Sequence, residues 1–452
     1  MAHFSPQQLL AAIKQIPPAP RYWVAYSGGL DSHVLLHALM AVRGELDADI
    51  NAVHINHGLS KDANAWSLHC RTVCNELSVP YYAFDVKADP DEGESPEAAA
   101  RYARYAALAE IVQSGDCLLT AHHQDDQAET ALLQMLRGAG PRGLAAMPLY
   151  TAFARGILGR PLLGFTRDEL HGYALQERLQ WVTDQSNFDT GFQRNYLRHE
   201  VLPQIKSRWP VMARTLSRSA AHCADAVQLM DEIAVADLEK IRGPQPDTIS
   251  ITDLLALHAS HQRNVLRFWF RQLGVQLPEA VHLDQLYHDV LYAADDRMPL
   301  LSWTGVEIRR YRDVLYVMPP LAGHDLTSVL EWDMTHALIL PSGIGRLYAK
   351  RTKGKGLNAG LCESQPVTVR YRQGGERCKP VGDSHTRSVK KLFQDEGIPP
   401  WQRDRTPFIY VGGQLAAIAG LWFCQPFQAG SDEYGVDIEW LPNESWASSR
   451  PE

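Results

Sequence analysis

The clearest chemical signal in the chain is a run of six residues between a short apolar strand candidate and a helical pattern: Ser27-Gly28-Gly29-Leu30-Asp31-Ser32. The two glycines allow a tight turn that leaves several backbone N–H groups exposed. The following helix adds the positive end of its dipole, so the run is typical of a phosphate-binding loop. A carboxylate repels phosphates unless a cation lies between them, so Asp31 predicts bound Mg²⁺. The alternative is a Gly-Gly turn in which Asp31 and Ser32 only cap the helix.

With its flanking strand and helix, over residues 22–42, this run resembles the signature of the PP-loop ATP pyrophosphatases. Those enzymes cleave ATP between the α- and β-phosphates, form an adenylated intermediate and release pyrophosphate. The resemblance implies ATP as the cofactor and an activating enzyme, in which a substrate carbonyl oxygen takes AMP before a nucleophile displaces it. The chain contains no GxxxxGK[ST] motif, which excludes the usual P-loop of kinases and GTPases.

A second polar group begins at a later strand end with His122 and His123 and continues with Asp125, Asp126 and Glu129. The spacing of the acids places them near one face of a helix. Acidic residues in a first turn also stabilise the helix dipole, which is the structural alternative. Zinc is disfavoured because no HExxH motif or cysteine partner is present. The functional alternatives are recognition of a cationic amine, a base for that amine, or a second Mg²⁺ contact.

Two pairs of arginines lie at helical spacing. Arg101 and Arg104 lie on one amphipathic pattern, and an adenylating site needs a cation against the α-phosphate as charge develops. We favour Arg104 for that role, although most such arginines are solvated surface residues. Arg194 and Arg198 are one helical turn apart and flank Asn195. Their preceding Asp and Ser residues also fit a simple helix cap.

The first 160 residues alternate strand and helix patterns. Strands are predicted at 22–26, 50–56, 81–86 and 117–121, and helices at 31–42, 64–77 and 96–112. This alternation predicts an α/β fold with a doubly wound, mostly parallel sheet. Ligands bind beyond the carboxyl ends of such strands, where the phosphate-loop candidate, His57-Gly58 and His122-His123 all fall.

A length of 452 residues suggests about three domains of roughly 150 residues. We predict a PP-loop catalytic domain with a helical connector over residues 1–215, and a mainly helical middle domain over 216–320 that ends in a hairpin. Residues 330–452 read as short strands and turns around one helix, which predicts a small α+β C-terminal domain.

The chain carries seven cysteines without a CxxC pair, so reduced thiols in the cytoplasm are the simplest expectation. No apolar stretch approaches the roughly 18 residues of a membrane span. The first residues lack the basic and apolar segments of a signal peptide. We therefore expect a cytoplasmic protein without a membrane partner; a monomer and a homodimer both remain open.

The charge is distributed unevenly along the chain. The formal net charge is −8, but residues 346–405 hold fourteen Lys and Arg against six Asp and Glu. A local excess of basic residues matters more for phosphate binding than the total charge. This segment therefore indicates a nucleic-acid partner despite the acidic overall composition.

Four motifs in this order resemble the bacterial tRNA(Ile)-lysidine synthetases: SGGLDS, EAAARYARY, AHHQDDQAET and DQSNFDTGFQRNYLRH. The stretch from YRQGGERCKPVGD to FIYVGG is similar to that family's C-terminal domain. The resemblance is weakest over residues 215–330. It implies that ATP activates C2 of the wobble cytidine in the CAU anticodon of tRNA(Ile). The ε-amine of free L-lysine then displaces AMP, and the product lysidine changes the tRNA's identity from methionine to isoleucine.

The resemblance also implies roles for the quoted residues. The loop residues Ser27, Gly28, Gly29, Leu30 and Ser32 would hold the pyrophosphate end of ATP, with Asp31 positioning Mg²⁺. In a second group, Asp126 and Glu129 would attract and help deprotonate the lysine ammonium, because only the neutral amine is nucleophilic. Arg104 and His122 would stabilise the adenylate or the leaving group.

Binding of a long polyanion explains basic residues in several regions of the chain. The residues that we predict to contact tRNA are Arg194, Asn195, Arg198, Arg263, Arg267, Arg271, Lys390, Lys391 and Arg403. Arg263, Arg267 and Arg271 form an i, i+4 stripe, from which Phe268 and Trp269 should turn away. For any single stripe, a solvated helix face is the simpler explanation.

Three other functions compete with this prediction. NAD and GMP synthetases amidate small molecules but need an amidotransferase domain or ammonia, and a basic C-terminal domain has no purpose there. A tRNA cytidine thiolase should carry CxxC cysteines, whereas Cys70 and Cys74 are spaced CxxxC. The third is a non-catalytic tRNA-binding protein with a retained ATP fold, against which the intact Asp31 and the acidic cluster argue.

Overall fold

The computed structural model describes residues 4–56, 62–87, 96–245, 247–275, 280–294 and 297–442. The predicted rim residues His57 and Gly58 lie outside this described part. Contacts divide the chain into two units, Met1–Glu232 and Ile233–Pro451. This partition into two units does not test the predicted division into three domains, which stays a prediction.

The strands of the first unit form one sheet in the order β3-β2-β1-β4-β6-β5. The strands are β1 (Arg21–Ala25), β2 (Asp49–Asn56), β3 (Tyr81–Asp85), β4 (Cys117–Leu119), β5 (Tyr150–Phe153) and β6 (Gly156–Gly159). All neighbouring pairs are parallel except β5 with β6. Strand β1 pairs with both β2 and β4, so the strand order reverses there, and the predicted doubly wound, mostly parallel sheet is confirmed.

The helices of the first unit connect these strands, and the last of them, a long helix, extends past residue 232 into the second unit. They are α1 (Pro6–Ile13), α2 (Leu30–Ala41), α3 (Ala63–Glu76), α4 (Pro96–Ile111), α5 (Gln124–Leu136), α6 (Pro141–Leu144), α7 (Arg167–Gln176), α8 (Gln193–Tyr196), α9 (Leu202–Arg208) and α10 (Met212–Lys240). Short 3-10 turns cover Arg43–Glu45 and Gln185–Phe188, and one π-helical turn covers Leu197–Val201.

Both faces of the sheet are covered, which explains why β4, and β1 after Arg21, are apolar. On one face, Val24 packs with Leu35 and Leu36 of α2. On the other face, Trp23 packs with Leu108 of α4. Helix α2 is apolar on nearly all sides because it is buried on nearly all sides, and this burial fixes the position of the loop that precedes it.

The middle of the chain combines helices with an antiparallel sheet in the order β7-β10-β9-β8. The elements are β7 (Thr248–Ser250), α11 (Ile251–Ala256), α12 (Ala259–Gln272), α13 (Ala280–Gln285), a π-helical turn over Leu286–Leu291, β8 (Leu300–Trp303), β9 (Val306–Tyr311) and β10 (Val314–Met318). The segment predicted as a hairpin, residues 301–318, forms three antiparallel strands, β8, β9 and β10. Trp269 of α12, Ile308 and Leu315 belong to one core between the helices and this sheet.

The C-terminal part is built from short strands in two main sheets, ordered β11-β15-β18-β19-β20 and β12-β13-β21-β14. Its strands are β11 (Leu330–Glu331), β12 (Leu338–Leu340), β13 (Gly345–Lys353), β14 (Leu357–Asn358), β15 (Val367–Arg370), β16 (Arg377–Cys378), β17 (Arg387–Ser388), β18 (Phe408–Val411), β19 (Gln414–Ile418), β20 (Trp422–Phe423) and β21 (Tyr434–Leu441). Its helices are α14 (Ala359–Ser364), α15 (Val389–Asp395) and α16 (Pro400–Arg403). The predicted α+β fold is confirmed; the one helix expected here corresponds to α15, while α14 and α16 were not predicted.

The structure corrects the expectation that all thiols are reduced. Cys378 and Cys424 form a disulfide that links residues 46 positions apart. Both cysteines are buried with Phe393 and Phe408 in a small separate core. The remaining cysteines are free: Cys70, Cys74, Cys117, Cys223 and Cys362.

Thiol counting tests this pairing. Protein prepared without reductant and titrated with a thiol reagent in denaturant should show the five free cysteines, and reduction should raise the count to the seven in the sequence. The double variant Cys378→Ser/Cys424→Ser should give five in both cases. Seven reactive thiols before reduction would contradict the pairing.

Candidate functional site

The phosphate-loop candidate lies at the carboxyl end of β1, and its backbone requires glycine at one position. Gly28 has φ +81°, and a Cβ atom there would lie 2.9 Å from Cys70 Sγ and 3.0 Å from Val182 Cγ2. Val182 N donates to the carbonyl oxygen of Gly28 at 3.0 Å, so a distant segment holds the loop. Gly29 is extended, at φ −72° and ψ 162°, and caps α2.

Two serine hydroxyls make hydrogen bonds within the loop. Ser32 Oγ donates to the carbonyl oxygen of Gly29 at 3.0 Å and lies 3.0 Å from Ser27 Oγ. It also accepts from the backbone N–H of Ser27 at 3.3 Å. The first-turn N–H groups of α2 have no partner inside the helix. The loop therefore presents the donors and the helix dipole that suit a phosphate group.

Two adjoining cavities open beside the loop and share Ser27, Gly29 and Arg104. The smaller, of about 270 Å³, is lined by apolar side chains that include Val53 and Trp66 and by polar ones that include His54, Asn56 and Asp184. Such a lining suits a flat aromatic base. The larger cavity, of about 370 Å³, is more polar; its lining includes Asp31, Arg101, His122 and Arg198.

The surroundings of Asp31 fit its predicted role of holding a cation. Its carboxylate is about one-third exposed and lines the larger cavity, and its Oδ2 lies 3.7 Å from His123 Nε2. Its other oxygen, Oδ1, is buried and has no hydrogen-bond partner among the described residues. An unsatisfied carboxylate oxygen beside a phosphate loop is the hard donor that Mg²⁺ prefers.

The two predicted groups of acidic and basic residues meet in one buried cluster. Arg198 donates from Nε to Glu129 Oε1 at 2.6 Å and from Nη2 to Asp126 Oδ1 at 2.9 Å. Arg194 donates from Nε to Glu129 Oε2 at 3.0 Å. Glu129 is 1% exposed, so these two guanidinium groups take the place of the water that its carboxylate loses on burial. The described lining of the larger cavity includes Arg198 but not Asp126 or Glu129.

His123 joins this cluster to the phosphate loop. Its backbone N–H donates to Asp126 Oδ2 at 3.0 Å, and its side chain caps α5. Although burial opposes the charged form, the carboxylates of Asp126, Asp31 and Asp125 raise the pKa of His123. Burial also works against the charge of Asp126, yet His123 and the arginines hold the pKa of that carboxyl below its usual range.

His122 differs from its neighbour in electrostatic state. Burial, assisted by nearby arginines, lowers the pKa of the His122 imidazole to about 4. Its Nδ1 lies 2.9 Å from Thr120 Oγ1, and the side chain lines the larger cavity. The imidazole is therefore neutral near pH 7 and offers a hydrogen bond rather than a positive charge to a bound group.

Several lining residues were not singled out from the sequence. Trp66 lines the smaller cavity but lies on an amphipathic helix, where an aromatic residue normally predicts core packing and not contact with a ligand. Phe188 and His199 line the larger cavity and lie within the quoted DQSNFDTGFQRNYLRH stretch, but their spacing gives no chemical signal. Asn195, a predicted tRNA contact, donates from Nδ2 to the carbonyl oxygen of Asp189 at 3.0 Å.

The other predicted tRNA contacts lie in the second unit. On α12, Arg263 and Arg267 are exposed while Phe268 and Trp269 are buried, as the stripe predicts. Arg271 is half-buried, with its guanidinium 5.2 Å from the Phe268 ring centroid. Exposure leaves the stripe accessible but does not identify its partner.

Lys390 and Lys391 are exposed on α15, whereas Arg403 requires a correction. Arg403 is buried; it donates from Nε to the carbonyl oxygen of Ile398 at 2.7 Å and from Nη2 to Tyr311 Oη at 2.8 Å. Because its donors are used inside the protein, Arg403 connects α16 to β9 and is no longer a candidate phosphate contact.

Comparison with known families agrees with this geometry. The PP-loop domain family matches residues 1–205, the TilS substrate binding domain family 249–316, and the TilS substrate C-terminal domain family 367–440. The parallel sheet and the loop at the end of β1 thus define a PP-loop, ATP-using enzyme. No helix in the described part of the chain has the length and apolar composition needed to cross a membrane.

Relatives extend the match to nearly the whole chain. The tRNA(Ile)-lysidine synthase of Coxiella burnetii is 44% identical over 97% of both chains. Those of Methylococcus capsulatus and Alkalilimnicola ehrlichii are 40% and 42% identical, over 94% of this chain and 97% and 95% of theirs. The chain belongs to the tRNA(Ile)-lysidine synthase family, and the resemblance predicted from its motifs is confirmed.

Two glycine variants test the loop geometry. Gly28→Ala should lower the free energy of unfolding by about 1–3 kcal/mol, because the residue has a positive φ and its new Cβ would press on Cys70 and Val182. Gly29→Ala is the matched control, since its Cβ would meet only Ser27 Oγ at 3.4 Å. Urea unfolding measures both, and equal stability of the two variants would contradict the assigned geometry.

The pKa of His122 predicts acid sensitivity. In the unfolded chain this imidazole becomes protonated below about pH 6.5, whereas in the folded protein it stays neutral down to about pH 4. The free energy of unfolding should therefore fall as the pH is lowered from about 6.5 to about 4. His122→Asn should remove up to about 3 kcal/mol of the loss. Urea midpoints from pH 4 to 7 measure it, with exposed His222→Asn as control. An unchanged pH slope in His122→Asn would contradict the buried neutral state.

Proposed function

We propose that this chain ligates L-lysine to C2 of the wobble cytidine in the CAU anticodon of tRNA(Ile) and thereby forms lysidine. ATP is the activating substrate. The C2 carbonyl oxygen of cytidine attacks the α-phosphate, and pyrophosphate leaves. The neutral ε-amine of lysine then attacks C2, and AMP leaves with that oxygen. The product pairs with A instead of G, which changes the tRNA's identity from methionine to isoleucine.

The observation that carries this proposal is the shared rim of the parallel sheet, where the phosphate loop and the acidic turn of α5 lie side by side. His123 connects them, with its Nε2 3.7 Å from Asp31 and 3.5 Å from Asp126. A phosphate-binding loop alone fits many ATP enzymes. A phosphate loop beside clustered carboxylates fits an enzyme whose second substrate is a cation, as lysine is.

ATP binding is assigned to the loop and the smaller cavity. The loop N–H groups would bind the pyrophosphate end, the hydroxyls of Ser27 and Ser32 hold the loop in shape, and the base would enter the cavity lined by Trp66. Asp31 would hold Mg²⁺, which would supply positive charge between carboxylate and phosphates. Arg104 lines both cavities and is the candidate cation for the α-phosphate.

Lysine recognition is assigned to the acidic cluster. The carboxylates of Asp125, Asp126 and Glu129 lie against two arginines and His123, and their oxygens would accept hydrogen bonds from a lysine ammonium. Both Asp126 and Glu129 are already bonded to Arg198. Lysine binding therefore requires Arg198 to share these carboxylates with the incoming ammonium.

Transfer of labelled lysine tests the reaction directly. The enzyme is incubated with ATP, Mg²⁺, labelled lysine and unmodified tRNA(Ile) with a CAU anticodon, beside tRNA(Met) as control. We expect ATP-dependent label in the first tRNA only, and loss of label with Asp31→Asn while tRNA binding persists. Pyrophosphate release without label in either tRNA would reject lysine as the nucleophile and direct the search to sulfur.

The salt dependence of tRNA binding tests the basic C-terminal surface. Lys390→Ala/Lys391→Ala should reduce the slope of log K against log salt by about 1–2, because each phosphate contact releases counterions. Lys14→Ala, at an exposed lysine after α1, is the control and should leave the slope unchanged. An unchanged slope in the double variant would remove these two lysines from the tRNA interface.

A further inference from the structure

Two stacked rings form part of the wall of the larger cavity. The ring centroids of Phe188 and His199 are 5.4 Å apart, and their planes differ by 28°. Both residues line the cavity that also contains Asp31 and His122. The reaction chemistry derived above assigns no role to either ring.

Core packing does not explain Phe188. Its side chain is 57% exposed, although it lies beside the polar end of the sheet where the chemistry takes place. A single exposed apolar residue is ordinary on a protein surface. This one differs because it is stacked on a second ring and belongs to a cavity lined by charged and polar groups.

The rings are held at a fixed place relative to the phosphate loop. Phe188 ends a 3-10 turn that follows Val182, and Val182 N donates to the carbonyl oxygen of Gly28. His199 follows Arg198, whose guanidinium is bonded to Glu129 and Asp126. His199 also lies in a π-helical turn, a feature often found at functional sites.

We propose that Phe188, supported by His199, is the stacking platform for the base of the nucleotide that is modified. This inference rests on the proposed function. Bases in single-stranded RNA loops are splayed out and stacked on aromatic side chains, and each such stack contributes about 1–3 kcal/mol. A pyrimidine stacked on Phe188 would lie in the same cavity as Asp31 and His122.

Stacking positions a base without identifying it, because every base has a flat face. Phe188 is therefore a base-positioning residue, and selection of cytidine belongs to groups that contact its edge. Loss of the ring should weaken productive tRNA binding and leave ATP binding intact. The number of phosphate contacts, and hence the salt slope, should also stay unchanged.

A fluorescent base and three variants test the platform in the full-length enzyme. The probe is an anticodon stem-loop with pyrrolocytidine at the first anticodon position, whose emission is quenched by stacking. Phe188→Leu keeps apolar volume without a ring, Phe188→Tyr keeps the ring, and Tyr150→Leu removes an exposed aromatic on the edge strand β5. We expect quenching with the wild type, Phe188→Tyr and Tyr150→Leu, and its loss with Phe188→Leu.

Kinetics supply the second readout. Phe188→Leu should lower kcat/KM for tRNA by about 5- to 150-fold, with Phe188→Tyr near wild type and the affinity for a non-hydrolysable ATP analogue unchanged in all three. Equal quenching by Phe188→Leu and wild type overturns the platform, as does a wild type that binds the probe without quenching it. A wild type that quenches the probe yet forms no lysidine rejects the proposed reaction while keeping the stacking site.

Discussion

The buried contact of two arginines with two carboxylates is the interaction on which the site depends. Glu129 and Asp126 lie at the start of α5, and removing such groups from water costs several kcal/mol per charge unless they are paired. Arg194 and Arg198 provide that pairing from the helical connector, the segment between the sheet and α10. The carboxylates thus determine where the connector lies, and the connector brings its own residues to the cavity.

The contact gives the site two walls of different origin. One wall comes from the sheet itself, where strand ends place the phosphate loop and the acidic turn on one rim. The other comes from the connector, which contributes Arg198, His199 and Phe188. His123 lies within the first wall, between the loop and the acidic turn, and carboxylates of both raise its pKa. A change in charge at the loop therefore acts on the acidic turn through one imidazole.

The elements of the first unit could be predicted because each depends on local pattern. Strand β1, the glycine turn and α2 follow one another directly, and parallel strand ends must share a rim. The pairing of Glu129 with Arg194 and Arg198 could not be predicted, since these residues are 65 and 69 positions apart. Helical spacing alone made both arginines candidates for contact with RNA.

The same limit applies in the second unit. Arg403 follows the family's sequence pattern, but its partner Tyr311 is 92 positions away, and burial turns a predicted surface cation into a structural one. The disulfide joins cysteines that no motif connects. Lys390 and Lys391, by contrast, are exposed because α15 buries only its apolar positions. For these two lysines, the amphipathic pattern of the helix alone is sufficient to predict their exposure.

The hydrogen bond from Val182 to Gly28 has a consequence for the order in which the protein becomes functional. The glycine turn is synthesised well before the segment that holds it, because Val182 lies far beyond Gly28 along the chain. Contacts between residues so distant in sequence form late, because loop closure must precede them. A growing chain therefore contains every residue of the phosphate loop well before Val182 is available to hold the loop's backbone.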